Sequence, residues 1–331
     1  MDLSRHWGGI WPSLRGKPSL VMLHRWFPFH MEKTEPYSIA AYIGAIERAT
    51  RAGKQPVVLD IGANVGAYTL IGAALGARLL AIDMQPTCAA LVECHLSLSN
   101  LKAEVFNAYA SAPGATQVLS VPMEDCVKTA SPTAVVGRFP TGVVTKKTLR
   151  AATLDASLLR PVPPLHVAEL VKSRLGAGEK LAATKIDVEG YEIGVIEALR
   201  PAWPLLGDIL VEVQPRAWKF ANVSMEAGIE TFRALVDQSN RRIVSLAHDT
   251  QEAGKRRIAK DAVTDPDVCA LPRFKGQQAI PSRRRKGLPQ GDVLAELDFD
   301  GLAAMLRYMM RHPRKSGLFR DFLFTSRQCG G

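Results

Sequence analysis

The chain has 331 residues, 47% of them hydrophobic and 22% charged. That length excludes a peptide or a small disulfide scaffold, and that composition excludes global disorder. The formal net charge is +10, yet residues 1–240 carry 24 basic and 22 acidic side chains, whereas residues 241–331 carry 18 and 10. The charge therefore belongs to the last quarter of the chain.

Residues 1–55 read as a leader. An irregular aromatic stretch precedes a helix over 37–51, where Ile39, Tyr42, Ile43 and Ile46 recur at helical spacing, and Pro56 stops it. No apolar run approaches the roughly 18 residues needed to cross a bilayer, and the N-terminus lacks a signal-peptide core. Its acid-poor, Arg- and Ser-containing composition is shared with organelle transit peptides, although Pro and Gly spoil a continuous amphipathic helix. Five scattered cysteines (Cys88, Cys94, Cys126, Cys269, Cys329) form no CxxC pair. Such a set reads as reduced thiols in an intracellular, cytoplasmic protein.

From Val57 onward, short apolar runs alternate with helical patterns. Val57-Val58-Leu59 predicts a strand, 67–75 a helix, 79–82 a strand, 87–98 a helix and 103–108 a third strand. Strands without in/out alternation, joined by helices, predict a doubly wound, mostly parallel sheet covered on both faces. Residues 111–151 predict loops with antiparallel strands. Residues 156–175 read as helical at their ends, broken by Pro161, Pro163 and Pro164. A strand over 181–188, a helix over 191–199, a strand over 209–213, a helix over 225–238 and a strand over 242–246 follow. Beyond His248 the composition turns basic and polar. Residues 275–290 read as a loop, 293–311 as a helix, and Phe322-Leu323-Phe324 as a strand. The expected units are a leader over 1–55, a core over 56–274 and a basic segment over 275–331, which could supply the last strand.

The most informative stretch runs from Val57 to Leu70, a buried strand, the two-glycine loop Asp60-Ile61-Gly62-Ala63-Asn64-Val65-Gly66, and a helix. Ligands of open parallel sheets sit beyond the carboxyl ends of the strands, next to such a turn. A dinucleotide fingerprint needs G-x-G-x-x-G, and here Asn64 replaces the middle glycine; a P-loop is excluded because no GK[ST] follows. What remains is D-x-G-x-N-x-G, then Thr69, and an acid, Asp83, at the end of the second strand. That pattern suits a nucleoside-like ligand without phosphates. Asp83 can accept both ribose hydroxyl hydrogens, and Asp60 is placed for the cationic amino-acid end. S-adenosylmethionine has these parts, so Asp60, Gly62, Asn64, Gly66, Thr69 and Asp83 are the candidate cofactor residues.

Five stretches in order resemble the FkbM-type methyltransferases, a branch of the class I S-adenosylmethionine-dependent enzymes. They are the loop above; Ala77-Arg78-Leu79-Leu80-Ala81-Ile82-Asp83-Met84-Gln85-Pro86, where Met84 departs from the family's proline; Thr153-Leu154-Asp155; Lys185-Ile186-Asp187-Val188-Glu189-Gly190-Tyr191-Glu192, followed by Val195-Ile196-Glu197; and Ile209-Leu210-Val211-Glu212-Val213. The likeness spans residues 56–250. It implies a seven-stranded, Rossmann-like sheet with one antiparallel strand near the C-terminus, supplied by Val268-Cys269-Ala270-Leu271 or by Phe322-Leu323-Phe324. It also implies methyl transfer to a hydroxyl of a carbohydrate or a secondary metabolite.

Methyl transfer asks a protein for alignment and for removal of the acceptor's proton. Asp187 is the first candidate for that base, or for holding the acceptor hydroxyl, and Glu189 is the second. Both could instead cap the following helix. Lys185 reads first as a strand residue snorkelling to a polar end. Glu212 ends a strand at the same edge, and His166 and His248 are minor candidates. No His, Asp or Glu set has convincing metal spacing, which predicts a metal-free reaction. Lys255-Arg256-Arg257 and Arg283-Arg284-Arg285-Lys286 could contact a polyanion, or form a solvated loop. The rival readings are a ribose 2′-O-methyltransferase acting on RNA, a binding protein that keeps the fold without catalysis, and a nicotinamide dehydrogenase, which Asn64 disfavours. An Asn-Pro-Pro-Tyr motif, expected of many amino-group methylases, is absent.

Overall fold

The computed structural model describes residues 36–122, 126, 159–246, 294–297, 299–311 and 320–326. Helix α1 (Pro36–Arg51) is followed by β1 (Val57–Ile61), α2 (Ala67–Ala74), β2 (Arg78–Asp83), α3 (Pro86–Leu98) and β3 (Glu104–Asn107). Short strands β4 (Tyr109–Ser111), β5 (Leu119–Pro122), β6 (Leu159–Val162) and β7 (Pro164–His166) lead to α4 (Val167–Arg174). Then come β8 (Ala183–Ile186), α5 (Glu192–Ala198), β9 (Asp208–Val213), α6 (Met225–Ser239), β10 (Arg241–Leu246), β11 (Leu294–Leu297), α7 (Phe299–Arg311) and β12 (Arg320–Ser326).

The main sheet runs β11-β10-β12-β9-β8-β1-β2-β3. From β3 through β9 all pairings are parallel, while β12 lies antiparallel between β9 and β10. Seven of these strands make the expected mostly parallel sheet, with Phe322-Leu323-Phe324 inside its antiparallel member. The eighth, β11, adds antiparallel to the outer edge of β10. Val268-Cys269-Ala270-Leu271, the other candidate, lies outside the described residues, as do the two basic runs, His248 and Thr153-Leu154-Asp155.

The strands are apolar on both faces because both are covered. Val57, Leu59 and Ile61 join one buried cluster with residues of α4, α5, α6 and α7. Val58, Leu79, Ala81 and Leu210 join another with residues of α1, α2 and α3. Helix α1 is thus part of the packed core, with Ile39, Tyr42, Ile43 and Ile46 all buried. Its Ser38 hydroxyl donates to the Asp321 carboxylate of β12, which is fully buried.

Two local expectations need correction. Residues 293–311 are not one helix: 294–297 pair with β10, and helix starts at Phe299. A short apolar run fits either period, and an open sheet edge decides for strand. Of the two helical ends expected within 156–175, the second stands as α4, whereas 159–162 and 164–166 form β6 and β7 around the expected break, because Pro161, Pro163 and Pro164 lack the N–H a helix needs but sit acceptably in two-stranded edges. The antiparallel pairing of β5 with β6 agrees with the strands expected beyond residue 111.

Candidate active site

The predicted site residues converge at the carboxyl ends of β1, β2, β8 and β9. After β1 the chain turns sharply, with the N–H groups of Gly62 and Ala63 both donating to the Ile82 carbonyl at 2.8 and 3.1 Å. Gly62 has φ +84, and a Cβ there would lie 1.8 Å from the Asp187 carbonyl oxygen. Close approach is therefore what glycine serves here, and the approaching group is the chain leaving β8. Asn64 also takes a left-handed φ of 50, which Asn tolerates better than most residues. Gly66, at φ 87, begins α2 without a side-chain cap.

Asp83 is held from both sides. Its Oδ2 accepts the Asn64 N–H at 2.7 Å and its Oδ1 the Gln85 N–H at 2.8 Å. A carboxylate has about four lone-pair sites, so acceptor capacity remains on each oxygen. Burial pushes its pKa up to about 6, opposed by those two N–H bonds. Beside it, Gln85 Oε1 is buried and has no hydrogen-bond partner among the described residues. Asp60 is deeper, 1% exposed, and burial likewise raises it to about 6. The Thr69 hydroxyl donates to Asp60 Oδ2 at 2.6 Å and is itself fully buried. Thr69, a candidate cofactor residue, thus holds Asp60 in place.

Lys185 is β1's neighbour through its register with Asp60. Its ammonium is buried, 3.4 Å from Asp187 Oδ2 and 5.1 Å over the Tyr68 ring. Tyr68 is fixed in turn by Tyr42, whose hydroxyl donates to the Tyr68 carbonyl at 2.9 Å. The expected reach of this strand lysine toward a polar end is met inside the protein, where its ammonium ends beside Asp187.

The Asp187 N–H donates to the Ile61 carbonyl at 2.9 Å, continuing the β1–β8 ladder by one bond. Asp187, Glu189 and Glu212 bring carboxylate oxygens within 4.8 Å of one another. Gln214 Nε2 bridges two of them, donating to Glu189 Oε2 at 2.5 Å and to Glu212 Oε1 at 3.1 Å. Burial first, then the charge of Asp187, push Glu189 up to about 7. Three carboxylates so placed could hold a divalent cation. No linear spacing reveals this grouping, since Glu212 comes from another strand. Lys185 brings a positive charge to Asp187 Oδ2, and Gln214 donates its amide to Glu189 and Glu212.

The cap position of α5, Tyr191, makes no side-chain capping bond. Glu192 instead reaches back to the Gly190 N–H at 2.6 Å and accepts the Trp218 Nε1–H at 2.8 Å. It is fully buried, and burial raises it to about 7. Sequence reasoning missed Gln85, Gln214 and Glu192 as contributors. The first two lie two residues beyond Asp83 and Glu212, a spacing that keeps strand side chains on one face. His166 closes β7 away from this cluster, its ring contacting the Ala115 carbonyl at 2.9 Å and Glu169 at 3.2 Å.

The cysteines depart from expectation. Cys88 and Cys126 form a disulfide, with Cα atoms 5.0 Å apart, whereas Cys94 is free and exposed. Residues so distant in sequence carry no pairing signal of their own, and the fold brings them together beside Val65.

No family model matches the chain, and no curated protein matches it. Solved structures similar to it include the S-adenosylmethionine-dependent methyltransferase from Agrobacterium tumefaciens, at 9% identity and a TM-score of 0.31, over 62% of this chain and 51% of that one. The chain thus spans about half the length of that protein. The plantazolicin methyltransferase BpumL in complex with S-adenosylhomocysteine matches at 10% identity and a TM-score of 0.34, over 98% and 96% of the two chains. The O-methyltransferase from Bacillus cereus, also in complex with S-adenosylhomocysteine, matches at 11% identity and 0.34, over 75% and 91%. All three are methyltransferases, and at these values the site itself must carry the functional reading. No helix among the described residues is long and apolar enough to cross a membrane.

Proposed function

We propose that this protein is an S-adenosylmethionine-dependent methyltransferase of FkbM type, acting on a hydroxyl oxygen of a carbohydrate or secondary metabolite. The observation that carries it is the Asp83 carboxylate, anchored by the N–H groups of Asn64 and Gln85 at the mouth of the glycine loop. Its remaining lone pairs match a ribose diol, and the orphaned Gln85 Oε1 matches a ligand N–H or O–H. Asp60 supplies a carboxylate for the ammonium end. Gly62, Asn64 and Gly66 shape the loop between them. When bound, S-adenosylmethionine supplies a methyl group activated by a positive sulfur.

The chain's own work is then at the end of β8. Asp187 takes the acceptor's hydroxyl proton, with Lys185 and the Asp187 backbone bond fixing its position. Glu189, pushed up to about 7, is partly protonated near neutral pH and in that form can donate to an acceptor oxygen. Gln214, just after β9, orients Glu189 and is itself held by Glu212. Residues 1–240 are nearly neutral, which suits an uncharged acceptor.

Calorimetric titration tests the cofactor: S-adenosylhomocysteine should give heat and NAD none. Absence of heat with the first, or full retention of it in Gly62→Arg, sinks the reading. Labelled methyl transfer into a lysate, fractionated by sugar, lipid and RNA, tests the acceptor. Label confined to RNA would replace this acceptor with ribose hydroxyls, served by the basic C-terminal runs.

A further inference from the structure

Cys88 and Cys126 are 38 residues apart and covalently joined. Cys88 sits in the first turn of α3, directly after the Asp83–Gln85 stretch. Cys126 places its Sγ 3.3 Å from Oδ1 of Asn64. The two sulfurs pack with Val65 and Leu91 in a small apolar cluster of their own. The disulfide therefore pins residue 126 to the start of α3, three residues after Gln85, and sets it against Asn64 and Val65, so it touches both segments whose N–H groups hold the Asp83 carboxylate.

We propose that Cys88 and Cys126 form a reversible redox site that sets the affinity of the adjoining glycine loop, with a dithiol as its co-reactant. This rests on the reading of that loop as the S-adenosylmethionine site. In the step, one thiolate of the dithiol attacks a disulfide sulfur and the other cysteine leaves as a thiolate. The second thiolate then resolves the mixed disulfide. The enzyme gains two electrons and two protons as two thiols, and the reagent becomes a disulfide. Two things change at the loop. The cross-link that fixes residue 126 against α3 is lost, and Cys126 acquires an S–H. In the disulfide, Sγ has no proton to offer Asn64; as a thiol it can donate to Asn64 Oδ1 and draw that side chain into an internal bond.

Cys88 is 3% exposed and Cys126 5%. A dithiol therefore reaches either sulfur only when the surrounding packing opens, and a ligand that closes the loop opposes that opening. Binding and reduction are linked reciprocally, so whatever factor reduction takes from affinity, the ligand returns as protection of the disulfide.

The test uses the full-length protein, oxidised or reduced with dithiothreitol, titrated calorimetrically with S-adenosylhomocysteine. The expected result is binding about tenfold weaker after reduction, within the roughly 5–150-fold span of ordinary couplings. Saturating ligand should lower the midpoint potential of the pair by about 30 mV for each tenfold. The double variant Cys88→Ser, Cys126→Ser should bind like the reduced protein and ignore dithiothreitol, which separates this pair from the exposed Cys94. Cys126→Ser alone serves if the double variant fails to fold. Equal affinity of the oxidised and reduced forms overturns the proposal and leaves the cofactor reading standing. Heat in neither form overturns both.

Discussion

Gly62 and Asp187 meet backbone to backbone at the point where β1 and β8 end, and no larger residue fits there. A Cβ at Gly62 would overlap the Asp187 carbonyl, and φ +84 strains any L side chain. Gly62→Ala is expected to cost about 2 kcal/mol or more, lowering Tm by about 3 °C or more for a chain of this length in a thermal melt. Asp187→Asn keeps the shape but removes the base. Its turnover should fall by about 10²–10⁴ while S-adenosylhomocysteine affinity stays within twofold; loss of affinity instead would make Asp187 a cofactor ligand. Asp83 supplies a pH test. Its carboxyl, raised to about 6, must be ionised to offer all its acceptor sites, so binding should weaken as pH falls through 6. Calorimetry from pH 5 to 8 measures this, and an affinity flat across that range would remove Asp83 from the ligand's polar contacts.

Among the elements, α1 ties the start of the described chain to the central sheet. Ile39, Ile43 and Ile46 are buried against strands whose neighbours come from much later in sequence, and Ser38 meets Asp321 in β12. Ser38→Ala would leave the fully buried Asp321 short of a donor, at about 1–3 kcal/mol. Ile43→Ala should cost about 2–5 kcal/mol through the cavity it leaves; urea melts check both. These values would not arise from a detachable leader. The helical spacing of Ile39, Tyr42, Ile43 and Ile46 made the helix legible in the sequence, but not its partner, because amphipathic periodicity shows a face without naming what covers it. The same limit applies elsewhere. The loop from Asp60 to Gly66 and the acid Asp83 were readable because their spacing along one βαβ unit is local. The Gln214 bridge, the Glu212 contact and the Cys88–Cys126 pair were not, since each depends on strand order. In β11 and β6, proline chemistry and an open edge outweighed local helical pattern.

Across the whole molecule, buried acids concentrate at one edge of the sheet. Asp60 and Asp83 are raised to about 6, Glu189 and Glu192 to about 7, with burial the first cause in each. A carboxyl raised on folding contributes stability that is full below its unfolded value, near 4, and lost as pH rises through 6 to 7. The ligand-free protein should accordingly melt lower at pH 8 than at pH 5.5. Glu192 alone would contribute about 2 kcal/mol to that decline, so Glu192→Gln should flatten it while costing stability at pH 5.5. A melting temperature rising steadily from pH 5.5 to 8 would show that these acids do not dominate.

The place of β12 also bears on how the chain is made. Strands β9 and β10 flank it and touch it rather than each other, yet β10 is finished some seventy residues before β12 begins. At about 5–20 residues per second, the ribosome leaves that gap open for roughly 4–15 s. During that time β9 and β10 present facing, unpaired edges with Val211, Val213, Ile243 and Val244 beside them. The nascent protein thus passes through a stage in which its sheet has a slot and no strand to fill it. Any chaperone that serves this chain would be needed there, and release of the last strand would end that need.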